Sequence, residues 1–96
     1  IKDASTVMVM RDSDRGPEVF VARRVRGMAF AGGMTVFPGG GVDASDDDPD
    51  VAWSGPAPAW WAERFDCDVP RARRLVCAAA RETFEECGVL LADHLD

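Results

Sequence analysis

Three glutamates, Glu82, Glu85 and Glu86, sit within five residues in the run Arg81-Glu82-Thr83-Phe84-Glu85-Glu86-Cys87-Gly88-Val89. On a helix, side chains three and four apart come within contact range. Each like-charge pair costs an isolated helix about 0.2–0.5 kcal/mol, and near a helix C-terminus the dipole adds a second penalty. A divalent cation offsets both, and carboxylate oxygens suit hard ions such as Mg²⁺ or Mn²⁺. Arg81, four residues before Glu85, can neutralise part of the charge. The competing explanation is a solvated acidic face. Upstream, Phe37-Pro38-Gly39-Gly40-Gly41 reads as a strand end and a glycine turn, where backbone carbonyls can come close to an ion. An ordinary strand-ending turn is the alternative there.

The element that must carry the glutamates is a helix over about 69–87. Asp68 is placed to cap it, Pro70 suits its first turn, and Gly88 suits the left-handed position past its end. At about 100° per residue, Val76, Cys77, Ala80, Thr83, Phe84 and Cys87 share an arc of roughly 120°, which predicts the core face. Glu82, Glu85 and Glu86 fall opposite, with Ala78 and Ala79 one turn before them. Residues 5–10 predict a mostly buried strand. Residues 12–17 are turn formers, and residues 18–23 predict a second strand completing a hairpin. A glycine-bearing connection over 27–33 leads to a short strand at 34–37. Residues 42–57 read as an acidic loop. Residues 58–65 predict a short helix with Trp60 and Trp61, either a hydrophobic flap or a stacking surface for substrate. Residues 89–91 look like the start of another strand.

With 96 residues, the chain is at most one small domain. Its 47% apolar and 29% charged residues are ordinary for a soluble globular protein. No apolar run approaches the roughly 20 residues of a membrane span, and no secretory leader opens the sequence. A net charge of −6 argues against a nucleic-acid partner. Anionic substrates remain compatible with it if cations intervene. Cys67, Cys77 and Cys87 form neither a disulfide framework nor a zinc pattern, so free thiols in a reducing cytoplasm are expected.

The two segments together resemble the Nudix hydrolase motif, a glycine turn followed by a helix ending Arg-Glu-aliphatic-x-Glu-Glu-x-Gly-aliphatic. Arg81, Glu82, Glu85, Glu86, Gly88 and Val89 match it, while Thr83 takes the first aliphatic position. The resemblance implies an α/β/α sandwich with a mixed sheet, of which residues 1–96 would be the N-terminal portion. It implies Mg²⁺ or Mn²⁺ held by Glu85 and Glu86, with Glu82 as a further ligand or as the group orienting the attacking water. Arg81 would position the glutamates, and the Gly39 carbonyl would be a backbone ligand. The motif's upstream glutamate is absent. Arg73 stands where it would be counted back from Arg81, and Asp46 stands five residues beyond Gly40, so an insertion covers about 44–72. Asp43 and Asp46 are the carboxylates near enough to substitute.

The insertion and the preceding segment resemble the coenzyme A diphosphatase-like branch. Phe20, Val21, Arg24, Gly33 and Phe37-Pro38-Gly39-Gly40 follow that branch's pattern, whereas Val25 and Ala29 depart from it. This implies a small-molecule nucleotide diphosphate as substrate, coenzyme A or its acyl derivatives foremost, with Arg24 and Gly40 as substrate-binding residues. Arg24 reads equally well as a strand-end surface charge. ADP-ribose, NADH or another dinucleotide is the alternative substrate, and a non-catalytic Nudix-like binding module is the alternative function. The general base stays unassigned, and self-association into a homodimer stays open. A calcium-binding loop at 43–50 fails the EF-hand pattern, because its glycine and terminal glutamate positions fall on Asp48 and Ser54.

Overall fold

The computed structural model describes residues 2–23 and 35–92. Among the described residues, six short strands precede the helices: β1 (Ala4–Thr6), β2 (Met10–Arg11), β3 (Glu18–Val19), β4 (Ala22–Arg23), β5 (Thr35–Val36) and β6 (Gly39–Gly41). A 3₁₀ turn (Ala44–Asp47) follows, then α1 (Pro58–Phe65) and α2 (Val69–Cys87). The strands form three antiparallel pairs, β1 with β6, β2 with β3, and β4 with β5.

The helices follow from local chemistry. Asp68 accepts a hydrogen bond from the Arg71 amide at 2.8 Å and opens α2, with Pro70 in its first turn. Gly88, at φ +72°, closes it, its amide donating to the Phe84 carbonyl at 2.8 Å. Pro58 opens α1, and Asp66 in the left-handed region ends it. The hairpin is also as expected, β2 and β3 pairing around a turn in which Ser13 and Gly16 exchange backbone hydrogen bonds.

Several expectations give way. Residues 5–10 do not form one mostly buried strand: β1 ends at Thr6, and Met8 and Met10 are more than half exposed. The period of two turns Ser5, Val7 and Val9 inward and leaves the other face uncovered among the described residues. Residues 18–23 divide into β3 and β4, which pair with different partners. The glycine run is not a turn but a strand, β6, held by β1. Residues 88–92 carry no regular structure, no partner strand lying beside them among the described residues. The connection at 27–33 and Met34 lie outside the described residues.

Helix α2 is the spine. Arg71 grips Asp3 with two hydrogen bonds of 3.0 and 2.6 Å, and Ser5 Oγ donates to the Leu75 carbonyl at 2.6 Å, fixing β1 along the helix. The inserted loop is tied to the same helix through Arg73 Nη2 and the Asp48 carbonyl, and through Arg74 and Asp47. The fully buried side chains of α2 are small, Ala72, Ala78 and Thr83, and Thr83 returns its hydroxyl proton to the Ala79 carbonyl at 2.7 Å. The predicted core face holds at Thr83, which is wholly buried, and fails at Phe84, which is 52% exposed, while Ala78, expected outside, is wholly buried. Helix α2 packs against α1, the 3₁₀ turn, β6 and β1, and small side chains at the buried positions let these elements come close.

Candidate metal centre

The side of α2 that faces β6 and the 3₁₀ turn carries Arg81 and the enclosed Glu82, with Glu85 and Glu86 exposed beside them, and the ladder next to it explains how. In the β1–β6 pair, Val7 donates to the Pro38 carbonyl and Val42 to the Asp3 carbonyl. With Ser5 opposite Gly40, the pairs 7/38, 5/40 and 3/42 exchange hydrogen bonds, and Gly39 and Gly41 fall between them. Their amides and carbonyls therefore point off the outer edge of β6. The Gly39 amide donates to Glu86 Oε2 at 3.2 Å, and the Gly41 carbonyl accepts from Arg81 Nη2 at 3.0 Å. The Gly39 carbonyl lies on the same outer edge as its amide.

Two of these glycines are required by space. A Cβ on Gly39 would lie 2.9 Å from the Thr6 Cα and collide with the Ser5 carbonyl oxygen. A Cβ on Gly40 would meet the Glu82 carboxylate, 2.6 and 2.7 Å from its oxygens. Gly40 thus leaves the hollow in which that carboxylate rests, and Glu82 retains only 18% of its side-chain exposure.

Arg81 is the hub. Its Nη1 donates to Glu82 Oε1 at 2.9 Å and to Glu85 Oε2 at 3.1 Å. Its Nε and Nη2 donate to the two oxygens of Asp46 at 2.8 and 3.0 Å, the paired geometry that guanidinium and carboxylate favour. Asp46 is 3% exposed and also accepts the Asp43 amide at 2.8 Å, in a reciprocal capping box that shapes the 3₁₀ turn. Burial alone would push the Asp46 carboxyl up. The Arg81 hydrogen bonds, the Asp43 amide and the Arg81 charge outweigh burial and hold it below its ordinary value. The Asp46 hydrogen bond, ahead of those from Glu82 and Glu85, drives Arg81 well above its ordinary value against the opposing effect of burial, so it stays charged. Nearby, burial raises the Cys77 thiol.

The structure thus brings Arg81, Glu82, Glu85, Glu86, Gly39 and Gly40 together. Arg24, expected at the substrate, lies outside the described residues, as do Val25, Ala29 and Gly33. Asp43 shapes the turn, and Asp46 is engaged by Arg81. The sequence considered Asp46 only as a stand-in ligand and missed it as the partner of Arg81. The Asp43-x-x-Asp46 spacing of a capping box was the available signal.

The donors available are all oxygen, three carboxylates beside an outward-facing edge of backbone carbonyls, which fits a hard divalent ion and not a thiophilic one. The glutamates are not gathered into a cage. Glu82 and Glu85 are held by Arg81 and Glu86 by the Gly39 amide. Among the described residues, no three His, Cys, Asp or Glu side chains converge as metal ligands. Binding an ion there requires these carboxylates to exchange protein donors for it.

No protein-family model and no curated protein matches the chain. Among solved structures it is similar to a NUDIX hydrolase from Alicyclobacillus acidocaldarius, with a TM-score of 0.68 and 36% identity. The match covers 96% of this chain and 39% of that one, so the chain spans about two-fifths of that relative's length. The α/β arrangement of short ladders around α2 is accordingly of the Nudix type.

Proposed function

We propose that this chain is the metal-binding portion of a Nudix hydrolase, a diphosphatase that splits a nucleoside diphosphate joined to another group. The observation that carries the reading is Glu86 on the outward edge of a glycine strand and Glu82 in the hollow at Gly40, with Arg81 tying Glu82 to Glu85. The likeness to a solved NUDIX hydrolase over 96% of the chain supports it independently. A solvated acidic face explains neither the buried Arg81–Asp46 pair nor the hollow that Gly40 leaves for Glu82.

Glu82, Glu85 and Glu86, with the Gly39 carbonyl, would hold Mg²⁺ or Mn²⁺. Such an ion lowers the pKa of a bound water and neutralises charge developing at phosphorus. Arg81 holds Glu82 and Glu85 in register. Glu82, the most enclosed of the three, serves as a further ligand or orients the attacking water. Gly40 keeps backbone rather than side chain at the face where the diphosphate arrives. Because the site is acidic, the substrate is recognised through cations.

Coenzyme A or an acyl-coenzyme A is the substrate we favour, on the resemblance around Arg24 and Phe37-Pro38-Gly39-Gly40. Cleavage would give adenosine 3′,5′-bisphosphate and a phosphopantetheine fragment. No helix among the described residues is long and apolar enough to cross a membrane, and Cys67, Cys77 and Cys87 are free thiols. We place the enzyme in the cytoplasm, acting on a small molecule rather than nucleic acid. A panel of coenzyme A, acyl-coenzyme A, ADP-ribose and NADH, assayed with Mg²⁺ and phosphate-coupled detection, tests the reading. Preference for the coenzyme A compounds is expected. Preference for ADP-ribose or NADH would overturn the substrate, and no metal-dependent turnover of any of them would leave a binding module.

A further inference from the structure

We propose that Lys2 is a substrate-binding residue, its ammonium taking a phosphoryl oxygen of the diphosphate on the face of β6 away from the glutamates. The inference rests on the reading of Glu82, Glu85 and Glu86 as holders of a divalent ion, and adds a direct contact to it. Successive residues of a strand face opposite ways. At Gly40 the side-chain direction leads to the Glu82 carboxylate on α2. At Gly41 it leads to the other face, where Lys2 lies. Its Cε and Nζ are 3.5 and 3.9 Å from the point a Gly41 Cβ would occupy. The Lys2 stem therefore runs across the backbone of Gly41, whose carbonyl accepts from Arg81, the residue that reaches Glu82 and Glu85. Strand β6 thus has a carboxylate against one face and an ammonium against the other.

Lys2 differs from the other cations around the site. Arg71, Arg74 and Arg81 each hold a carboxylate, and Arg73 holds the Asp48 carbonyl. Lys2 is exposed and, among the described residues, makes no ion pair. In a chain of net charge −6, such a cation is available to an anion. A diphosphate held by an ion at the strand edge is repelled by whatever glutamate charge the ion leaves unneutralised, and is attracted by Lys2. Together these forces direct it across β6 rather than along α2. An ammonium on a flexible stem can follow the phosphoryl oxygens. Glycine at 41 leaves the space that the stem uses.

The test is titration calorimetry on the Mn²⁺-loaded protein with α,β-methylene-ADP, a nucleoside diphosphate that cannot be split between its phosphates, for wild type, Lys2→Gln and Lys2→Arg. Mn²⁺ affinity is measured first, without nucleotide. Lys2→Gln is expected to bind the nucleotide about three- to fivefold more weakly at low salt, the scale of an exposed charge pair. That deficit should shrink as added KCl screens the charges. Lys2→Arg keeps the charge and should keep most of the affinity. Mn²⁺ affinity should not fall in Lys2→Gln, because losing a positive charge does not repel a cation, whereas a merely structural role would lower both. Unchanged nucleotide affinity in Lys2→Gln, or a loss that Lys2→Arg or the Mn²⁺ affinity shares in full, overturns the role of Lys2 while leaving the metal site standing. Failure of the wild-type protein to bind Mn²⁺ overturns the metal site itself, and this inference with it.

Discussion

Helix α2 has two unlike sides. Toward β6 and the 3₁₀ turn its polar groups are closely paired, with Arg81 alone serving Asp46, Glu82, Glu85 and the Gly41 carbonyl. Toward α1 it is apolar. An open groove of about 690 Å³ lies between β1, α1 and α2, bordered by Trp61, Leu75, Val76 and Ala80, and a second of about 570 Å³ runs under the inserted loop from Trp53 and Cys77 to Asp46 and Arg81. Polar pairing is specified contact by contact, each group needing one partner at hydrogen-bonding distance. Apolar packing requires many neighbours at once. The charged side is therefore where single substitutions should speak most distinctly.

The largest effect is expected from the proposed ligands. Glu85→Gln or Glu86→Gln removes a negative charge but little volume, so the melting temperature should hold while metal-dependent hydrolysis falls by at least about 100-fold, equivalent to about 2.7 kcal/mol. Retained hydrolysis in either variant would break the comparison, making the polar side structural only.

Next come two adjacent glycines whose neighbours differ in kind. An added methyl at Gly39 meets backbone, the Thr6 Cα and the Ser5 carbonyl, which cannot step aside without parting β1 from β6. Gly39→Ala should therefore cost at least about 1–3 kcal/mol in denaturant unfolding. At Gly40 the obstacle is the end of the Glu82 side chain, which can swing away. Gly40→Ala should lose less stability but more Mn²⁺ affinity. Equal losses of stability would show that Glu82 is as immovable as the backbone.

These glycines also mark where the sequence was legible. The bounds and caps of α2 and α1 could be read from Asp68, Pro70, Gly88 and Pro58, because capping depends on residues within one turn. The strand nature of Gly39–Gly41 depends on Ala4–Thr6, more than thirty residues away, and three glycines give no strand propensity to reveal it. Arg81, Glu82, Glu85 and Glu86 were recognisable by spacing. The Arg81–Asp46 pair was hidden because Asp46 belongs to the insertion, 35 residues from Arg81, and only the fold closes that distance.

Acid should loosen the polar side before the apolar one. The folded state holds Asp46 below its ordinary value of 3.8. The stabilisation is thus fully present above that value and is lost as pH falls through the lower folded-state pKa. Asp3 behaves alike, its carboxyl lowered first by the Arg71 hydrogen bond, though its exposed position makes the contribution small. The melting temperature should decline below about pH 4 and decline less steeply in Asp46→Asn, which lacks the titrating group. Parallel declines would mean that other carboxylates govern acid unfolding.

The smallest effect separates the helix phase read from apolar periodicity from the one observed. Periodicity puts Phe84 in the core and Ala78 beside the glutamates, facing outward. The fold reverses both, Phe84 being 52% exposed and Ala78 fully buried. Truncating a core phenylalanine costs about 3–5 kcal/mol, whereas Phe84→Gln should cost about 1 kcal/mol or less. Ala78→Leu, harmless on an outward face, should overpack the contact and cost about 1–3 kcal/mol. A larger loss from Phe84→Gln than from Ala78→Leu would return the core to the apolar arc and remove the packing reason for glycine at β6. The opposite order means that α2 is seated on its charged side, with small side chains bringing the carboxylates to the strand edge.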